Sequence, residues 1–223
     1  MINKNPLLDG NDIFKNSYFK KHEKQLLNLV ENGQHPKALF IGCADSRVVP
    51  NLITQTAPGE LFVLRNVGNF VAPYKPDEEF HSTAAGIEYA VSALNIEAII
   101  ICGHTHCGAI ASLYENLDDK TMLHTKKWLT LGEKAKSVAL LVTDDNTPKE
   151  ELLRLTEKLS IISQIENLLT YPSVKEKVNA GEIYIHGWMY DLESGNIDYY
   201  DPDSSKFKPL ESARGGGEED ALN

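Results

Sequence analysis

The sequence has few cysteines, few positive charges and no long hydrophobic run. Three cysteines among 223 residues are too few, and odd in number, for a disulfide-stapled secreted domain, so we expect free thiols in a reducing cytoplasm. No apolar run reaches the roughly 18 residues of a membrane span, and the N-terminal segment lacks the apolar core of a secretory signal. The formal net charge of -10 argues against a nucleic-acid backbone or an anionic membrane as partner. The sequence therefore indicates a cytoplasmic protein that binds neither nucleic acid nor membrane.

Neither an internal repeat nor a linker interrupts the chain. Its length is sufficient to bury a substantial hydrophobic core. We therefore predict a single domain over residues 1–210. The glycine-rich and acidic stretch at 211–223 indicates a disordered tail.

Short apolar runs alternate with amphipathic helical patterns along most of the chain. Strands are predicted at Ala38–Gly42, Glu60–Val67 and Ala98–Cys102, and a β-hairpin at Ile183–Tyr190 and Ile197–Tyr200. Helices are predicted from Pro50, from a cap at Ser82 or Thr83, at Cys107–Leu117, at Thr121–Leu141 and at Lys149–Val178, with a break at Tyr171-Pro172. This order predicts an α/β fold with a mostly parallel β-sheet flanked by helices and a C-terminal β-hairpin.

The first helical pattern, Asn11–Asn32, has two interpretations. Its apolar residues recur at helical spacing, Asp12 is a candidate cap and Gly33 a stop signal. The pattern fits a helix packed on the domain body, and it also fits an N-terminal helical arm laid across a partner subunit.

The segment IICGHTHCGAI, Ile100 to Ile110, carries two metal-ligand side chains at the end of a predicted strand. His104 ends the strand and Cys107 opens a helix. An earlier predicted strand, in the motif FIGCADSRV, is followed by Cys43 and Asp45. The carboxyl ends of parallel strands meet at one edge of a sheet, so both motifs are expected at the same edge. Thiolate sulfur and imidazole nitrogen are the donors that zinc prefers, and Cys₂His sites with an open position are a known catalytic type. We therefore expect a Zn²⁺ site here.

Several neighbouring residues have a simpler interpretation. Cys102 shares the strand face of His104, but inside an apolar run an inert buried thiol is the favoured role. His106 is expected at the surface or behind the ligands rather than on the metal. A disulfide or redox pair between Cys43 and Cys107 is disfavoured in a reducing compartment.

Asp45 and Arg47 follow Cys43 at every second position, so an extended backbone would place all three on one side. Asp45 has three interpretations: an ordinary ion pair with Arg47, a fourth zinc ligand, or a carboxylate that accepts the proton of a zinc-bound hydroxide. Arg47 is suited to hold that carboxylate in a fixed fork. Because two thiolates neutralise Zn²⁺, we expect activity to rise towards alkaline pH.

The paired motifs Cys43-Ala-Asp-Ser-Arg47 and His104-Thr-His-Cys107-Gly resemble those of the β-class carbonic anhydrases. The resemblance extends through Pro58–Asn69, Ala84–Val91 and His186–Gly195. It implies reversible hydration of carbon dioxide to bicarbonate and a proton by zinc-bound hydroxide. It also implies that Cys43, His104 and Cys107 hold the zinc and that Asp45 and Arg47 form the catalytic dyad. A homodimer or homotetramer with its active site near the subunit interface is the expected assembly.

Some members of that family carry a regulatory bicarbonate site that locks the carboxylate onto zinc. Arg65 and Tyr190 match its motif, but Phe40 stands where the motif has tryptophan. This departure favours a resting site with open, water-bound zinc. The sequence is more similar to the plant-type branch, which implies a substrate pocket lined by Gln34, Phe62, Val67 and Tyr89. Simple burial on a strand or helix is the alternative role for the last three.

Two other functions fit the same residues. The first is hydrolysis of a carbon dioxide analogue such as carbon disulfide on the same fold. The second is a non-catalytic zinc-binding module, against which the Asp45–Arg47 pair counts, since structural zinc has no need of it.

Overall fold

The computed structural model describes residues 6–77, 81–116 and 120–214. Within these residues six strands form one sheet in the order β2-β1-β3-β4-β5-β6. The first four strands pair in parallel and the last two pairings are antiparallel. The strands are β1 Ala38–Cys43, β2 Leu61–Asn66, β3 Ala98–His104, β4 Tyr184–Tyr190, β5 Ile197–Asp201 and β6 Lys206–Pro209. The predicted α/β fold is confirmed, and β6 is an addition to it.

Helices cover the sheet and connect its strands. They are α1 Pro6–Phe14, α2 Glu23–Asn32, α3 Pro50–Thr54, α4 Ser82–Ala93, α5 Gly108–Ser112, α6 Leu123–Leu129, α7 Glu133–Val142, α8 Lys149–Leu168 and α9 Pro172–Asn179. A π-helical turn, Lys15–Phe19, joins α1 to α2, and 3₁₀ turns lie at Val67–Asn69, Lys120–Met122, Thr130–Gly132 and Leu210–Arg214. Of the predicted tail 211–223, residues from 215 onward lie outside the described residues.

The sheet register fixes which residues share the carboxyl edge. Cys43, the last residue of β1, pairs with Asn66 of β2. On the other side β1 pairs with β3, whose last residue His104 lies beside Tyr190 of β4. The interiors of β1 and β3 are almost completely buried, which accounts for their continuous apolar runs. The central strands therefore all end near one edge.

Helix α8 packs closely on the two central strands because glycine removes the intervening side chains. A methyl group on Gly103 of β3 or on Gly187 of β4 would lie 2.8 Å from Ile161. The buried row of α8 is largely polar and comprises Thr156, Glu157, Ser160, Ile161, Ser163, Gln164 and Leu168. The innermost face of α8 differs from the apolar pattern that predicts the helix. The regularly spaced residues of that pattern are only half-buried: Leu152, Leu155, Leu159, Ile162, Ile165 and Leu169.

Four local predictions are wrong. Asp12 lies inside α1, which begins at Pro6, and therefore caps nothing. His81 rather than Ser82 or Thr83 precedes α4 as its capping residue, without a side-chain bond, and the Thr83 hydroxyl accepts a hydrogen bond from Asn66 Nδ2 instead. The helix after Cys107 ends at Ser112 rather than near residue 117. A 3₁₀ turn divides the predicted helix 121–141 into α6 and α7.

The N-terminal helices leave most of their apolar side chains exposed. The predicted stop at Gly33 is confirmed, with φ of 80°. Helix α2 contacts the domain body through Leu29, which packs against Gly59. Ile13 and Val30, in contrast, are 67% and 79% exposed. No helix among the described residues is both long and apolar enough to cross a membrane.

Candidate metal centre

Cys43 stands at the carboxyl end of β1 with its sulfur surrounded by backbone donors. The N–H groups of Asp45 and Gly68 each point at Cys43 Sγ at 3.4 Å. Gly68 reaches this position through a left-handed backbone, φ 78°, in the turn after β2, a conformation that favours glycine. Hydrogen bonds from N–H groups stabilise a thiolate, so this end of β1 is built for a charged sulfur.

His104 ends β3 and is buried, with its ring orientation fixed by one hydrogen bond. Nδ1 lies 2.8 Å from the carbonyl oxygen of Thr105. Because a carbonyl only accepts, Nδ1 carries the proton and Nε2 presents its lone pair. Nε2 is buried and has no hydrogen-bond partner among the described residues. A buried imidazole nitrogen without a partner, fixed by a bond at the other nitrogen, is the arrangement of a metal ligand.

Cys107 precedes the first residue of α5 and is buried. Its N–H donates to Oε1 of Glu157 at 2.9 Å. Burial raises the pKa of Glu157 to about 7, although the bond from Cys107 and the charge of Arg154 lower it. The turn that carries Cys107 is thereby tied to α8.

The three predicted ligand side chains converge. The donor atoms of Cys43, His104 and Cys107 all lie within 4.8 Å of one another. Hydrogen bonding from the Cys107 thiol lowers the pKa of Cys43, with further lowering by His104 and two backbone N–H groups, and the same interaction raises the pKa of Cys107. Two sulfurs and one imidazole nitrogen form a donor set that fits zinc and leaves a fourth tetrahedral position for water or substrate.

Asp45 and Arg47 form a two-pronged ion pair beside this cluster. Arg47 Nε donates to Asp45 Oδ1 at 2.9 Å and its NH2 group to Oδ2 at 2.6 Å. Arg47 also donates to the carbonyl of His106, at 3.1 Å. These hydrogen bonds from Arg47 hold the pKa of Asp45 below its ordinary value, so the carboxylate is ionised at neutral pH. Asp45 Oδ2 lies 4.0 Å from His104 Nε2.

The backbone that carries this pair is a turn, which corrects the predicted extended arrangement. Val48 N donates to the carbonyl of Asp45, and Arg47 N donates to Asp45 Oδ1. Arg65 of β2 holds the turn in place by donating to the carbonyls of Cys43 and Asp45, at 3.0 and 2.6 Å. The ion pair therefore arises from a folded turn rather than from strand alternation.

The remaining cysteine and histidine near the motifs lie outside the cluster. Cys102 is completely buried, and burial raises the pKa of its thiol to about 12, as expected for an inert core thiol. His106 adopts a left-handed backbone, φ 57°, and its Nε2 lies 3.5 Å from a carboxylate oxygen of Glu193. It does not point at the cluster.

The four expected pocket residues do not gather around the cluster within one chain. Phe62 and Tyr89 contact each other, with ring centroids 5.9 Å apart. Phe62 precedes Asn66, the β2 partner of Cys43, by four positions, or about 13 Å of strand. Gln34 is exposed before β1. Val67 is adjacent to Gly68 and therefore lies near the cluster.

Phe40 and Tyr190, two of the positions compared with the regulatory bicarbonate motif, have the following surroundings. Phe40 is fully buried, edge-on to Trp188 with ring centroids 6.4 Å apart. Tyr190 and Arg47 line a cavity of about 300 Å³ with Val49 and Gly195.

Some contributors to the site were absent from the sequence interpretation. Gly68 donates to Cys43, Glu157 accepts from Cys107, and Trp128 Nε1 donates to the carbonyl of Val67 at 2.7 Å. Thr105, between the ligands, donates through its hydroxyl to Asp191 at 3.2 Å. None of these contacts left a signal in the sequence, and the apolar periodicity of α8 would place Glu157 on the exposed face.

A Cys₂His cluster at the carboxyl edge of a parallel sheet, with a carboxylate–guanidinium pair beside it, defines a zinc enzyme of α/β fold. Residues 38–197 match the family model described as "Carbonic anhydrase". The chain is 41% identical to a carbonic anhydrase of Synechococcus elongatus over 86% of this chain and 69% of that protein. It is 39% identical to one of Pseudomonas aeruginosa over 83% of each. The chain therefore belongs to the β class of the carbonic anhydrase family, which uses zinc and whose general function is hydration of carbon dioxide.

Solved structures agree with this assignment. The β-carbonic anhydrase CcaA is similar with a TM-score of 0.85 and 37% identity, over 92% of this chain and 90% of that one. One of two tetrameric β-carbonic anhydrases from Sordaria macrospora is similar with a TM-score of 0.77 and 27% identity, over 86% and 94%. The predictions of family, fold and cofactor are thus confirmed.

Proposed function

We propose that this protein catalyses zinc-dependent, reversible hydration of carbon dioxide to bicarbonate and a proton. The observation that carries the proposal is the convergence of Cys43, His104 and Cys107 within 4.8 Å, with the Asp45–Arg47 pair beside it. When bound, zinc lowers the pKa of a water ligand and so supplies a nucleophile near neutral pH.

Side chains of the protein would supply the metal ligands and a fixed hydrogen-bond acceptor beside them. Cys43 and Cys107 provide two anionic ligands and His104 provides Nε2, since Nδ1 is committed to Thr105. With zinc in place, the ionised Asp45 would be available to accept a hydrogen bond from the attacking oxygen and so to orient it. Arg47 fixes the carboxylate through both oxygens.

We also propose that the resting site is open, with Asp45 off the metal. Both carboxylate oxygens accept hydrogen bonds from Arg47, and Arg65 holds the carbonyl of Asp45 from the other side. For Asp45 to become a fourth ligand, this fork would have to break. Charge-assisted two-pronged bonds are among the stronger contacts on a protein surface, which supports the open state.

Gln34, Phe62, Val67 and Tyr89 are proposed to line the substrate pocket in a homodimer or homotetramer. Phe62 and Tyr89 lie together but far along the sheet from the cluster of their own chain, so a partner subunit's cluster is the one they are proposed to face. Tyr89 is half exposed and is free to be covered by a partner. The tetrameric relatives from Sordaria macrospora support a homo-oligomer.

A cytoplasmic location is proposed as well. Cys43, Cys102 and Cys107 are all free and buried, and thiols of this kind persist in reducing compartments.

Stopped-flow measurement of carbon dioxide hydration by the zinc-loaded protein from pH 7 to 9 tests these proposals. Fast turnover throughout supports the reaction and the open site. Turnover confined to the alkaline end supports the reaction but contradicts the open resting site. Zinc-loaded protein without turnover at any pH contradicts the reaction and favours the alternatives: hydrolysis of carbon disulfide, tested in the same instrument, or a non-catalytic zinc module.

A further inference from the structure

Helix α8 carries a buried carboxylate directly behind the turn that holds Cys107. Glu157 is 2% exposed. Its Oε1 accepts the hydrogen bond from Cys107 N at 2.9 Å, and its Oε2 lies 3.1 Å from NH1 of Arg154, one helical turn earlier. A carboxylate is costly to bury, so a residue that remains at this position needs a compensating role.

Helix α5 has no side-chain cap of its own, so the turn before it depends on this contact. Helix α5 comprises only Gly108–Ser112, and Cys107 makes no side-chain hydrogen bond as its capping residue. Isolated helices of this length are unstable. Glu157 provides from α8 an acceptor for a backbone donor at the start of α5. Rigid packing of α8 on β3 across Gly103 fixes where that acceptor lies.

The positions of Glu157 and His104 are therefore fixed relative to each other. His104 is the last residue of β3, and α8 packs on β3 through Ile161, one turn beyond Glu157. A hydrogen bond from Cys107 to Glu157 consequently sets the place of the Cys107 sulfur relative to the imidazole of His104. Besides that bond, the position of Cys107 depends on the hydrogen bond from Arg47 to the carbonyl of His106 and on apolar packing around Cys107.

We propose that Glu157 is a positioning residue for the metal centre, which acts through Cys107 by fixing its backbone rather than by contributing charge. The proposal rests on the proposed zinc site formed by Cys43, His104 and Cys107. It assigns to Glu157 no contact with metal or substrate. Partners behind a metal ligand commonly contribute about 10- to 100-fold to metal affinity.

Two conservative variants separate the hydrogen bond from the charge. Glu157→Gln keeps the length of the side chain and an oxygen that accepts from Cys107 N, but it removes the charge. Glu157→Asp keeps the charge but withdraws the carboxylate by one C–C bond, about 1.5 Å, beyond hydrogen-bond reach. Glu151→Gln and Glu151→Asp, on the exposed first turn of α8, are the matched controls.

Zinc affinity, measured by competition with a chromophoric chelator, is the first readout. We expect Glu157→Gln to stay within about threefold of the parent and Glu157→Asp to bind zinc about 10- to 100-fold more weakly. The second readout is the visible spectrum of the Co²⁺-substituted proteins, which reports the geometry of the donors. We expect a parent-like spectrum for Gln and a shifted one for Asp, whereas a residue that merely fills space would leave both spectra unchanged.

The opposite ranking, with Asp parent-like and Gln impaired, would show that charge matters and would overturn the proposal. So would parent-like affinity and spectrum in both variants. If Glu157→Asp does not fold, as judged by circular dichroism, Glu157→Gln decides alone: weakened zinc binding with intact folding overturns the proposal. Because neither readout measures turnover, a parent that binds zinc but hydrates no carbon dioxide would refute the proposed function and leave this test valid.

Discussion

Cys102 and Cys107 are both cysteines and lie close in sequence, but their surroundings give the two thiols different roles. Cys107 points into the cluster with Cys43 and His104. Cys102 lies in the interior of β3, where burial opposes its ionisation. The donor atom of Cys107 converges with those of Cys43 and His104, whereas Cys102 is not part of that group, so Cys107 is the one placed to be a ligand.

Replacement of each cysteine by alanine should separate these roles. Cys107→Ala removes a donor and should weaken zinc binding by more than about 100-fold, since even partners behind a ligand contribute 10- to 100-fold. Cys102→Ala should keep the parent's zinc content and lose about 1 kcal/mol of stability from the small cavity. Zinc content by atomic emission after dialysis, with urea unfolding of both variants, checks the pair. Equal zinc content in the two would remove Cys107 from the ligand set.

Asp45→Asn should leave the metal bound but reduce turnover. The amide retains the shape of the carboxylate but presents only one acceptor oxygen to Arg47 and loses the charge. Positioned acid–base groups contribute about 10²- to 10⁴-fold to rate, and we expect a loss of kcat in that range at unchanged zinc content. The exposed Asp145→Asn is the control. Parent-like turnover in Asp45→Asn would exclude the dyad from the mechanism.

At the residue scale, the sequence predicted the convergence of the ligands but not what surrounds them. Cys43, His104 and Cys107 were identifiable because strand ends in a parallel sheet meet at one edge and the donor types suit one metal. The ion pair of Asp45 and Arg47 was among the expected contacts, but on an extended backbone rather than on the turn that carries it. Its geometry depends on a turn held by Arg65, a contact between strands that spacing along the chain does not contain.

Tyr171 ends the segment between α8 and α9 and links it to the loop that follows the Val67–Asn69 turn. Its ring is 1% exposed, and its hydroxyl donates to the carbonyl of Ala72 at 3.1 Å. Burial raises its pKa to about 12, with a contribution from the charge of Glu88. The sequence predicted a break at Tyr171-Pro172, which is confirmed by the start of α9 at Pro172, but not this tether.

The raised pKa of Tyr171 makes the tether sensitive to alkali. Between about pH 10 and 12 the unfolded chain releases the phenol proton and the native state retains it, so native stability is present below pH 10 and falls as pH rises. Tyr171→Phe lacks both the hydrogen bond and this titration. We expect it to be about 1 kcal/mol less stable than the parent at pH 8, with the difference closing near pH 11. Urea unfolding at both values checks this, and a difference independent of pH would contradict it.

At the element scale, helix α8 shows why a buried face is hard to derive from periodicity. Leucines and isoleucines at helical spacing predicted the helix correctly, yet they occupy half-buried positions. The fully buried row contains Thr156, Glu157, Ser160, Ser163 and Gln164. Thr156, Glu157 and Gln164 have hydrogen-bond partners there: Gln164, for example, accepts from Val71 N and donates to the carbonyl of Leu131. Such partners are known only once the fold is known.

The whole molecule presents an unusually apolar N-terminal surface. Ile13 and Val30 are the clearest examples, and Leu7 is more exposed still. Large exposed apolar surfaces on helices commonly mark interaction sites. The arm across a partner subunit, one of two interpretations of this segment in the sequence, is therefore the one that we carry forward as a prediction.

The double variant Ile13→Glu, Val30→Glu should reduce the size of the assembly. We expect light scattering to give two or four times 24.8 kDa for the parent and a smaller multiple for the variant, because buried charge opposes association. Lys149→Glu, at an exposed polar position on the first turn of α8, is the control and should keep the parent's mass. A monomeric parent, or a variant of unchanged mass, would contradict the prediction.

The fold class was predictable at this scale because alternation of strands and helices leaves few topologies. Residues 1–210 as a single domain stays a prediction. A homodimer or homotetramer also stays a prediction. It came from family resemblance, whereas the apolar pattern of the N-terminal segment left two interpretations open, because an exposed apolar side chain and a buried one look identical in a sequence.

The strand order has a consequence for the order in which the protein is made. Strand β3 lies between β1, synthesised earlier, and β4, synthesised much later. All three metal-binding side chains have been translated by residue 107, whereas β4 ends at Tyr190. At 5–20 residues per second, roughly 4 to 17 seconds separate the two events. During that interval the nascent chain carries its thiols without a completed sheet around them. Cys43, His104 and Cys107 are therefore synthesised several seconds before β4 can complete the parallel part of the sheet.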